Sequence, residues 1–108
     1  MLKLCNINIE DRKRIFKEVK RLIQKVKTKF NAQVYLYGSF AKDEIHEGSD
    51  IDLIIIGDFK GKMPQRIGEI LKLTDLPIEP LVYTREEFKE MKNNSIFLKE
   101  VLKKAKRI

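Results

Sequence analysis

The sequence predicts an α/β protein in which a small mixed sheet is packed by helices. Three observations predict it: an amphipathic helix pattern at 9–30, a nearly continuous apolar run at 50–56, and short β-rich and helical segments that alternate without any repeat. A strand that is apolar on both faces is typical of a sheet covered on both sides. Its 108 residues, 43% of them hydrophobic, suit one globular domain, which we expect to span 1–108.

The elements up to the central strand follow from periodicity and from turn residues. Apolar side chains recur at steps of three and four over 9–30, which predicts a helix with one core-facing stripe. Gln33–Tyr37 is short and β-rich, which predicts the first strand. The segments that follow are, in order, a turn at Gly38 and Ser39, one or two helical turns at 39–44, a loop at 45–49 and the strongest strand at 50–56.

The rest of the chain predicts a third strand with helices before and after it. Pro64 suits the first position of a helix running to about residue 74, because its missing N–H is not needed there. Residues 77–83 read as the third strand. Thr84 can cap a helix to about residue 91, with Glu87 at the capping-box position. A last helix, starting at 94 or 95, places these apolar residues on one side: Phe97, Leu98, Val101, Leu102, Ala105 and Ile108.

Two aspartates at the start of the strongest strand predict a metal site. Asp50 and Asp52 are two residues apart, so in a strand their side chains point to the same face. Like charges this close repel each other unless a cation lies between them. Mg²⁺ is a hard cation that suits carboxylate oxygens. The alternative is structural: Asp50 caps the start of the strand, and Asp52 forms a salt bridge with a lysine.

The turn at Gly38 and Ser39 is a candidate phosphate site. Glycine lets a phosphate approach the backbone closely, and N–H groups at the start of a helical turn attract anions. Ser39 can also donate its hydroxyl to a phosphate oxygen. An ordinary turn with Ser39 as a helix cap explains the same two residues. If the first two strands are antiparallel neighbours, this turn lies next to Asp50 and Asp52.

Glu79, near the start of the third strand, is the candidate third carboxylate. A crossover through the Pro64 helix makes the third strand parallel to the second, so both strands begin at the same end of the sheet. There Glu79 can complete a two-metal site or accept a proton from an attacking hydroxyl. The alternative is a charged residue on an edge strand, where flanking prolines are tolerated.

The order of Gly38-Ser39, a short spacer and Asp50-Ile51-Asp52 resembles the signature of the minimal nucleotidyltransferases, which belong to the DNA polymerase β-like superfamily. The similarity extends along most of the chain, including the first helix, Ile78-Glu79, the stretch 83–88 and the last helix. The resemblance implies a nucleotidyltransferase fold.

The resemblance also implies an activity and its residues. It implies an Mg²⁺-dependent nucleotidyltransferase that moves a nucleoside monophosphate, such as AMP from ATP, to an acceptor hydroxyl. Two Mg²⁺ ions are expected, as in other two-metal sites. Lys42 stands where relatives often carry arginine, and it keeps the charge without the planar fork. Asp43 stands where glycine is common. The implied catalytic and metal-binding residues are Asp50, Asp52 and Glu79, and the implied nucleotide-binding residues are Gly38, Ser39 and Lys42.

The resemblance suggests a protein acceptor. Family members this short are commonly paired with a small helical HEPN protein, a ribonuclease-like toxin. The implied function is an antitoxin that adenylylates this partner, with the acceptor site completed by the partner or by a second copy in a homo-oligomer. Three alternatives remain open: a non-catalytic module that neutralises a partner by binding alone, an RNA-binding or RNA-modifying protein, and a transferase that acts on a small molecule.

The charge distribution is the reason for the RNA alternative. Basic side chains number 23 and acidic ones 16, which gives a net charge of +7, and nine of the basic residues lie within 9–30. Such a balance favours polyanionic partners, although a solvated helix face is the preferred explanation for the basic residues of 9–30. No apolar run approaches the ~20 residues of a membrane span. Cys5, the single cysteine, forms no internal disulfide, so we expect a cytoplasmic protein.

Overall fold

A computed structural model of the chain describes residues 9–38 and 50–108, with side chains from residue 13 onwards in those ranges. The expected turns at 39–44 therefore lie outside the described residues. None of the described helices is long and apolar enough to cross a membrane. The elements are, in chain order, α1 (Ile9–Phe30), β1 (Gln33–Tyr37), β2 (Ile51–Gly57), α2 (Met63–Leu71), β3 (Ile78–Thr84), α3 (Arg85–Asn94), α4 (Ile96–Lys104) and β4 (Lys106–Arg107).

The four described strands form one mixed sheet in the order β3-β2-β1-β4. β1 is antiparallel to β2 and to β4, whereas β2 and β3 are parallel. The predicted mixed sheet is confirmed, including the crossover from β2 to β3 through α2. Because β2 lies inside the sheet, its residues are almost all buried, as the apolar run predicts.

Two hydrophobic layers cover the two faces of the sheet. The residues of β2 alternate between them, so Ile51, Leu53 and Ile55 face α1 and α2, while Ile54 and Ile56 face the other side. On the first face α1 buries its predicted stripe, of which Val19 and Val26 are 2% and 1% exposed. The second layer includes Tyr83 of β3, Leu98 of α4 and the partly buried Tyr35, Tyr37, Leu81, Phe88 and Val101.

The end of the chain corrects the sequence-based expectation. The last helix ends at Lys104, Ala105 is extended, and residues 106–107 pair with β1 as β4. The N–H of Ile108 donates to the carbonyl of Val34 at 3.0 Å. This pairing satisfies backbone groups on the open side of β1, which a continued helix would leave without partners. The apolar side that the sequence predicts for the last helix is also only partly buried, since Phe97 is 52% exposed.

A buried arginine connects α2 to β3 and α3 through hydrogen bonds. Arg66 is 8% exposed, and its guanidinium donates to the carbonyls of Gly61 and Val82 at 2.9 and 3.3 Å. It also donates to Glu87 at 2.5 Å. Glu87 accepts from the N–H of Thr84 at 2.8 Å, which confirms the predicted capping box of α3. These contacts fix α2 beside the outer edge of β3. The helix α2 itself ends at Leu71, earlier than expected, and begins one residue before Pro64.

Candidate functional site

A row of three polar side chains crosses the sheet at one end. Tyr37 at the end of β1 pairs with Asp52 of β2, and Asp52 pairs with Glu79 of β3. Residues in register on neighbouring strands present their side chains to the same face. The row therefore lies on the face of α3 and α4, where Tyr37 and Asp52 are partly buried and Glu79 is exposed. Antiparallel and parallel pairing thus bring together three residues that are far apart in the sequence.

Asp50 lies immediately before β2 and is exposed. The N–H of Ile51 donates to the carbonyl of Pro77 at 2.9 Å, so the starts of β2 and β3 are tied together at this point. Ile51 is fully buried on the opposite face. Alternation along the strand therefore directs Asp50 to the same side as Asp52.

Asp52 is held in an electrostatically unfavourable place. Burial raises the pKa of this carboxyl from 3.8 to about 6, and the charge of Glu79, a hydrogen bond with Glu79 and the charge of Asp50 act in the same direction. The hydrogen bond between two carboxyl groups requires a proton on one of them. Within the described ranges, no lysine or arginine forms a salt bridge with Asp52, so the structural alternative of a lysine partner is not observed.

Tyr37 also belongs to the site, although it was not among the candidate site residues from the sequence. Burial raises the pKa of its hydroxyl to about 12, and the charges of Asp52 and Glu79 contribute. The hydroxyl therefore stays protonated and can donate a hydrogen bond. The signal that locates Tyr37 is its position directly before Gly38, which antiparallel pairing places opposite the start of β2.

Gly38 closes β1 with a left-handed backbone conformation, at φ 72°. A side chain at this position would also overlap Oδ2 of Asp52. The backbone of the turn therefore touches the carboxylate directly, which only glycine allows. The other two predicted nucleotide-binding residues, Ser39 and Lys42, lie outside the described residues.

The donor set fits Mg²⁺ bound together with a substrate. Among the side chains that the structure describes, no group of three or more acidic, histidine or cysteine residues converges as a closed metal site. Asp52 and Glu79 do lie in register on neighbouring strands, and the charge of Glu79 raises the pKa of Asp52. Mg²⁺ is usually held by one or two carboxylates plus substrate phosphates and water, rather than by a full protein cage. A cation held by Asp50 and Asp52 would relieve the repulsion among these carboxylates.

We expect Asp52→Asn to stabilise the metal-free protein at neutral pH. The folded-state pKa of Asp52 lies above its value of 3.8, so the folded state loses stability as pH rises from about 4 to about 6. Asparagine removes this penalty. After discounting for partial exposure, the gain in unfolding free energy is about 1–2 kcal/mol above pH 7 and close to zero at pH 4. Thermal unfolding at both pH values, with exposed Glu69→Gln as control, checks it; an equal gain at both would contradict it.

We expect Gly38→Ala to damage both the fold and the metal site. A left-handed alanine costs about 1–2 kcal/mol, and its methyl group must push the Asp52 carboxylate aside. Unfolding temperature should fall, and stabilisation by added Mg²⁺ should be lost. The matched control is Gly68→Ala in α2, where a methyl group meets nothing within 4 Å and helix propensity adds up to about 1 kcal/mol. Equal behaviour of the two variants would contradict the role of Gly38.

The basic surface of α1 lies across the sheet from the carboxylates. Its described lysines and arginines are mostly exposed, and the apolar stripe of the helix packs on the face that carries Ile51 and Leu53. Asp52 and Glu79 are on the other face. An RNA bound to the basic surface of α1 would therefore lie on the opposite face of the sheet from this site. The exposed basic residues are consistent with a solvated helix face.

Comparisons with known proteins agree with the fold. A family model described as a nucleotidyltransferase domain matches residues 19–105. A crystal structure of a candidate nucleotidyltransferase from Sulfolobus solfataricus superposes with a TM-score of 0.59, at 22% identity over 76% of this chain and 78% of that one. At this identity, the similarity to the Sulfolobus solfataricus protein shows a shared fold only.

A second crystal structure of a candidate nucleotidyltransferase has a TM-score of 0.50, at 29% identity over 86% of this chain and 96% of that one. No protein of curated function is significantly similar in sequence.

Proposed function

Because this chain belongs to the nucleotidyltransferase domain family, we propose that it transfers a nucleoside monophosphate, AMP from ATP, to an acceptor hydroxyl. The observation that carries the proposal is the register of Asp52 with Glu79, next to the Gly38 turn. Two carboxylates therefore lie on the same face of the sheet, at one end of it. The Gly38 turn, whose backbone lies against the Asp52 carboxylate, is at the same end.

The proposed roles follow the order of the strands. The Gly38 turn, with Ser39 and Lys42, holds the triphosphate beside β1. Asp50 and Asp52, at the start of β2, would hold Mg²⁺. Glu79 at β3 takes the proton of the acceptor. The row thus runs from the phosphate side of the site to the acceptor side.

The reaction balances as a substitution at the α-phosphorus. The acceptor O–H bond breaks as its proton passes to Glu79, and the acceptor oxygen forms a bond to the α-phosphorus. The bond from that phosphorus to the oxygen bridging the β-phosphate breaks, and pyrophosphate leaves. Glu79 then returns the proton to solvent. Mg²⁺, when bound, neutralises charge on the triphosphate and on the leaving group. The protein's own contribution is orientation and charge placement.

We further propose that the acceptor is a protein, specifically a helical HEPN-type partner, and that the chain acts as its antitoxin in the cytoplasm. Two exposed apolar residues at the start of α4 support a protein partner: Ile96 is 80% exposed and Phe97 is 52% exposed. Exposed large apolar residues that lie together are a common feature of interaction surfaces. The acceptor site would be completed by the partner, or by a second copy of this chain.

The test is covalent labelling of a purified helical partner. With α-labelled ATP and Mg²⁺, wild-type protein should attach label to the partner, and chelation should abolish labelling until Mg²⁺ is restored. The Asp50→Asn, Asp52→Asn double variant should attach none. Partner neutralisation by this double variant, with no labelling by the wild type, would instead support a non-catalytic binding module.

A further inference from the structure

A groove at the junction of α3 and α4 combines apolar carbon with basic side chains. Its volume is about 480 Å³, and Ile96 and Leu102 of α4 are its apolar lining. Three lysines line it as well: Lys92 from the last turn of α3, and Lys99 and Lys103 from α4. All three lysines are exposed, and Ile96 is 80% exposed. This α4 groove is therefore an open apolar surface with basic side chains around it.

The α4 groove faces away from the sheet. Leu98 is fully buried and packs with the hydrophobic layer on β2 and β3, which fixes the inner side of α4. Residues three and four apart share one face of a helix, so Ile96, Lys99 and Lys103 lie together on the side opposite Leu98. The groove is thus separate from the carboxylate row, and docking there does not require nucleotidyl transfer.

The charges around the α4 groove favour an acidic occupant. Within the described residues, neither Lys92 nor Lys99 forms a salt bridge, and Lys103 pairs with Glu100 at 3.3 Å. The side chains of that pair are 69% and 63% exposed, so the pair is weak and a carboxylate of a partner can replace it. Three lysines and one glutamate line the groove, which leaves an excess of positive charge beside Ile96.

The spacing of the lysines fits carboxylates on a helix. Lys99 and Lys103 are about one turn apart, or about 6 Å along α4, and acidic residues four apart on a partner helix have the same spacing. Two helices and no strand line the groove, so it offers no sheet edge to an extended peptide. We propose that the α4 groove binds an acidic amphipathic helix of a partner protein. An apolar side chain of that helix lies against Ile96 and Leu102, with carboxylates beside the lysines.

A membrane with anionic lipids is the other partner that lysines beside isoleucine could attract. An interfacial helix needs a broad apolar face that enters the bilayer. The helix α4 has nine residues, and Leu98 is buried within the protein. A concave groove also suits a protruding side chain better than a flat bilayer. The observations therefore favour a protein helix.

The test uses a fluorescent, alanine-rich peptide of about 15 residues, a length at which such a sequence forms a helix. One face carries leucine flanked by glutamates four residues apart, and a second peptide has glutamine in place of each glutamate. In anisotropy titrations with the full chain and no nucleotide, the acidic peptide should bind with a Kd on the order of 0.1 mM. The glutamine peptide should bind about tenfold more weakly at low salt, and added salt should reduce the difference.

Charge reversal locates the binding site. The double variant Lys99→Glu, Lys103→Glu should lose about tenfold or more in affinity for the acidic peptide and should instead bind a peptide with lysine in place of each glutamate. The matched control Lys17→Glu, Lys20→Glu makes the same change in net charge on exposed positions of α1 and should keep the Kd within about twofold of wild type. Ile96→Ser, at an exposed position outside the core, should weaken binding by about fivefold or more.

Three results would overturn the α4 groove as a docking site for an acidic helix. One is equal binding of the acidic and glutamine peptides, and another is an equal loss of affinity in the α4 and α1 double variants. The third is binding of the protein to phosphatidylglycerol vesicles without binding of the acidic peptide, which would assign the surface to a membrane. Because the titrations contain no nucleotide, their outcome is independent of label transfer from ATP.

Discussion

Asp52→Asn should lower the rate of nucleotidyl transfer by about 10²–10³-fold or more, the loss expected when a preorganised electrostatic group is removed. Asp52 is the centre of the row, in register with Tyr37 on one side and with Glu79 on the other. An amide cannot supply the negative charge that binds Mg²⁺, so the triphosphate would lose the cation that holds it. Single-turnover labelling with α-labelled ATP measures the effect.

The same substitution is expected to stabilise the metal-free protein, which makes the result easy to interpret. A variant that is inactive and yet unfolds at a higher temperature than wild type cannot owe its inactivity to misfolding. Such opposite effects are characteristic of functional sites that hold like charges together. Glu69→Gln, which removes an exposed acidic side chain from α2, should change neither property. Full activity in Asp52→Asn would remove Asp52 from the proposed mechanism.

Arg66→Met should cause the largest loss of stability, about 2–4 kcal/mol in unfolding free energy. Methionine keeps most of the buried volume but donates nothing to the carbonyls of Gly61 and Val82. Glu87 also loses its partner at 2.5 Å. The unfolding temperature should fall by roughly 10 °C or more for a chain of this size.

The pH dependence distinguishes the loss of this ion pair from a general packing defect. The hydrogen bond from Arg66 lowers the pKa of Glu87, with a further contribution from the N–H of Thr84. The Glu87 carboxylate therefore contributes its full stabilisation above the usual carboxyl pKa. This contribution is lost as the pH falls through the lowered pKa of Glu87 in the folded state. In Arg66→Met, the free energy of unfolding should therefore fall less steeply as the pH is lowered. Arg21→Met, which removes an exposed i,i+3 pair with Glu18, should change stability by less than about 0.5 kcal/mol. An equal effect of both variants would contradict the role of Arg66.

Local patterns in the sequence were sufficient for most of the fold. The bounds of α1 and β1 agree with the apolar periodicity and the β-rich run, and Thr84 with Glu87 marked the start of α3. The continuous apolar run at β2 correctly indicated an interior strand. These features depend on neighbours within a few residues, which is the range over which periodicity and capping act.

The parts that the sequence could not predict depend on contacts between distant residues. Residues 106–107 carry no β-pattern, and they pair because the open side of β1 lies beside them. Arg66 is buried although charged side chains usually remain exposed, since Glu87 and two carbonyls meet it there. Tyr37 enters the site through the register of β1 with β2. For the same reason, the expected crossover through the Pro64 helix suggested that Glu79 lies near Asp52, but the shared row became evident only from the strand register.

The most direct test of the central claim follows the position of the label in ATP. Wild-type protein, Mg²⁺ and a helical partner are incubated with ATP labelled either at the α-phosphate or at the γ-phosphate. The proposed reaction predicts label on the partner from the α-position only, with pyrophosphate released and no transfer by the Asp50→Asn, Asp52→Asn variant. Label from the γ-position, or equal transfer by wild type and variant, would contradict nucleotidyl transfer at these carboxylates.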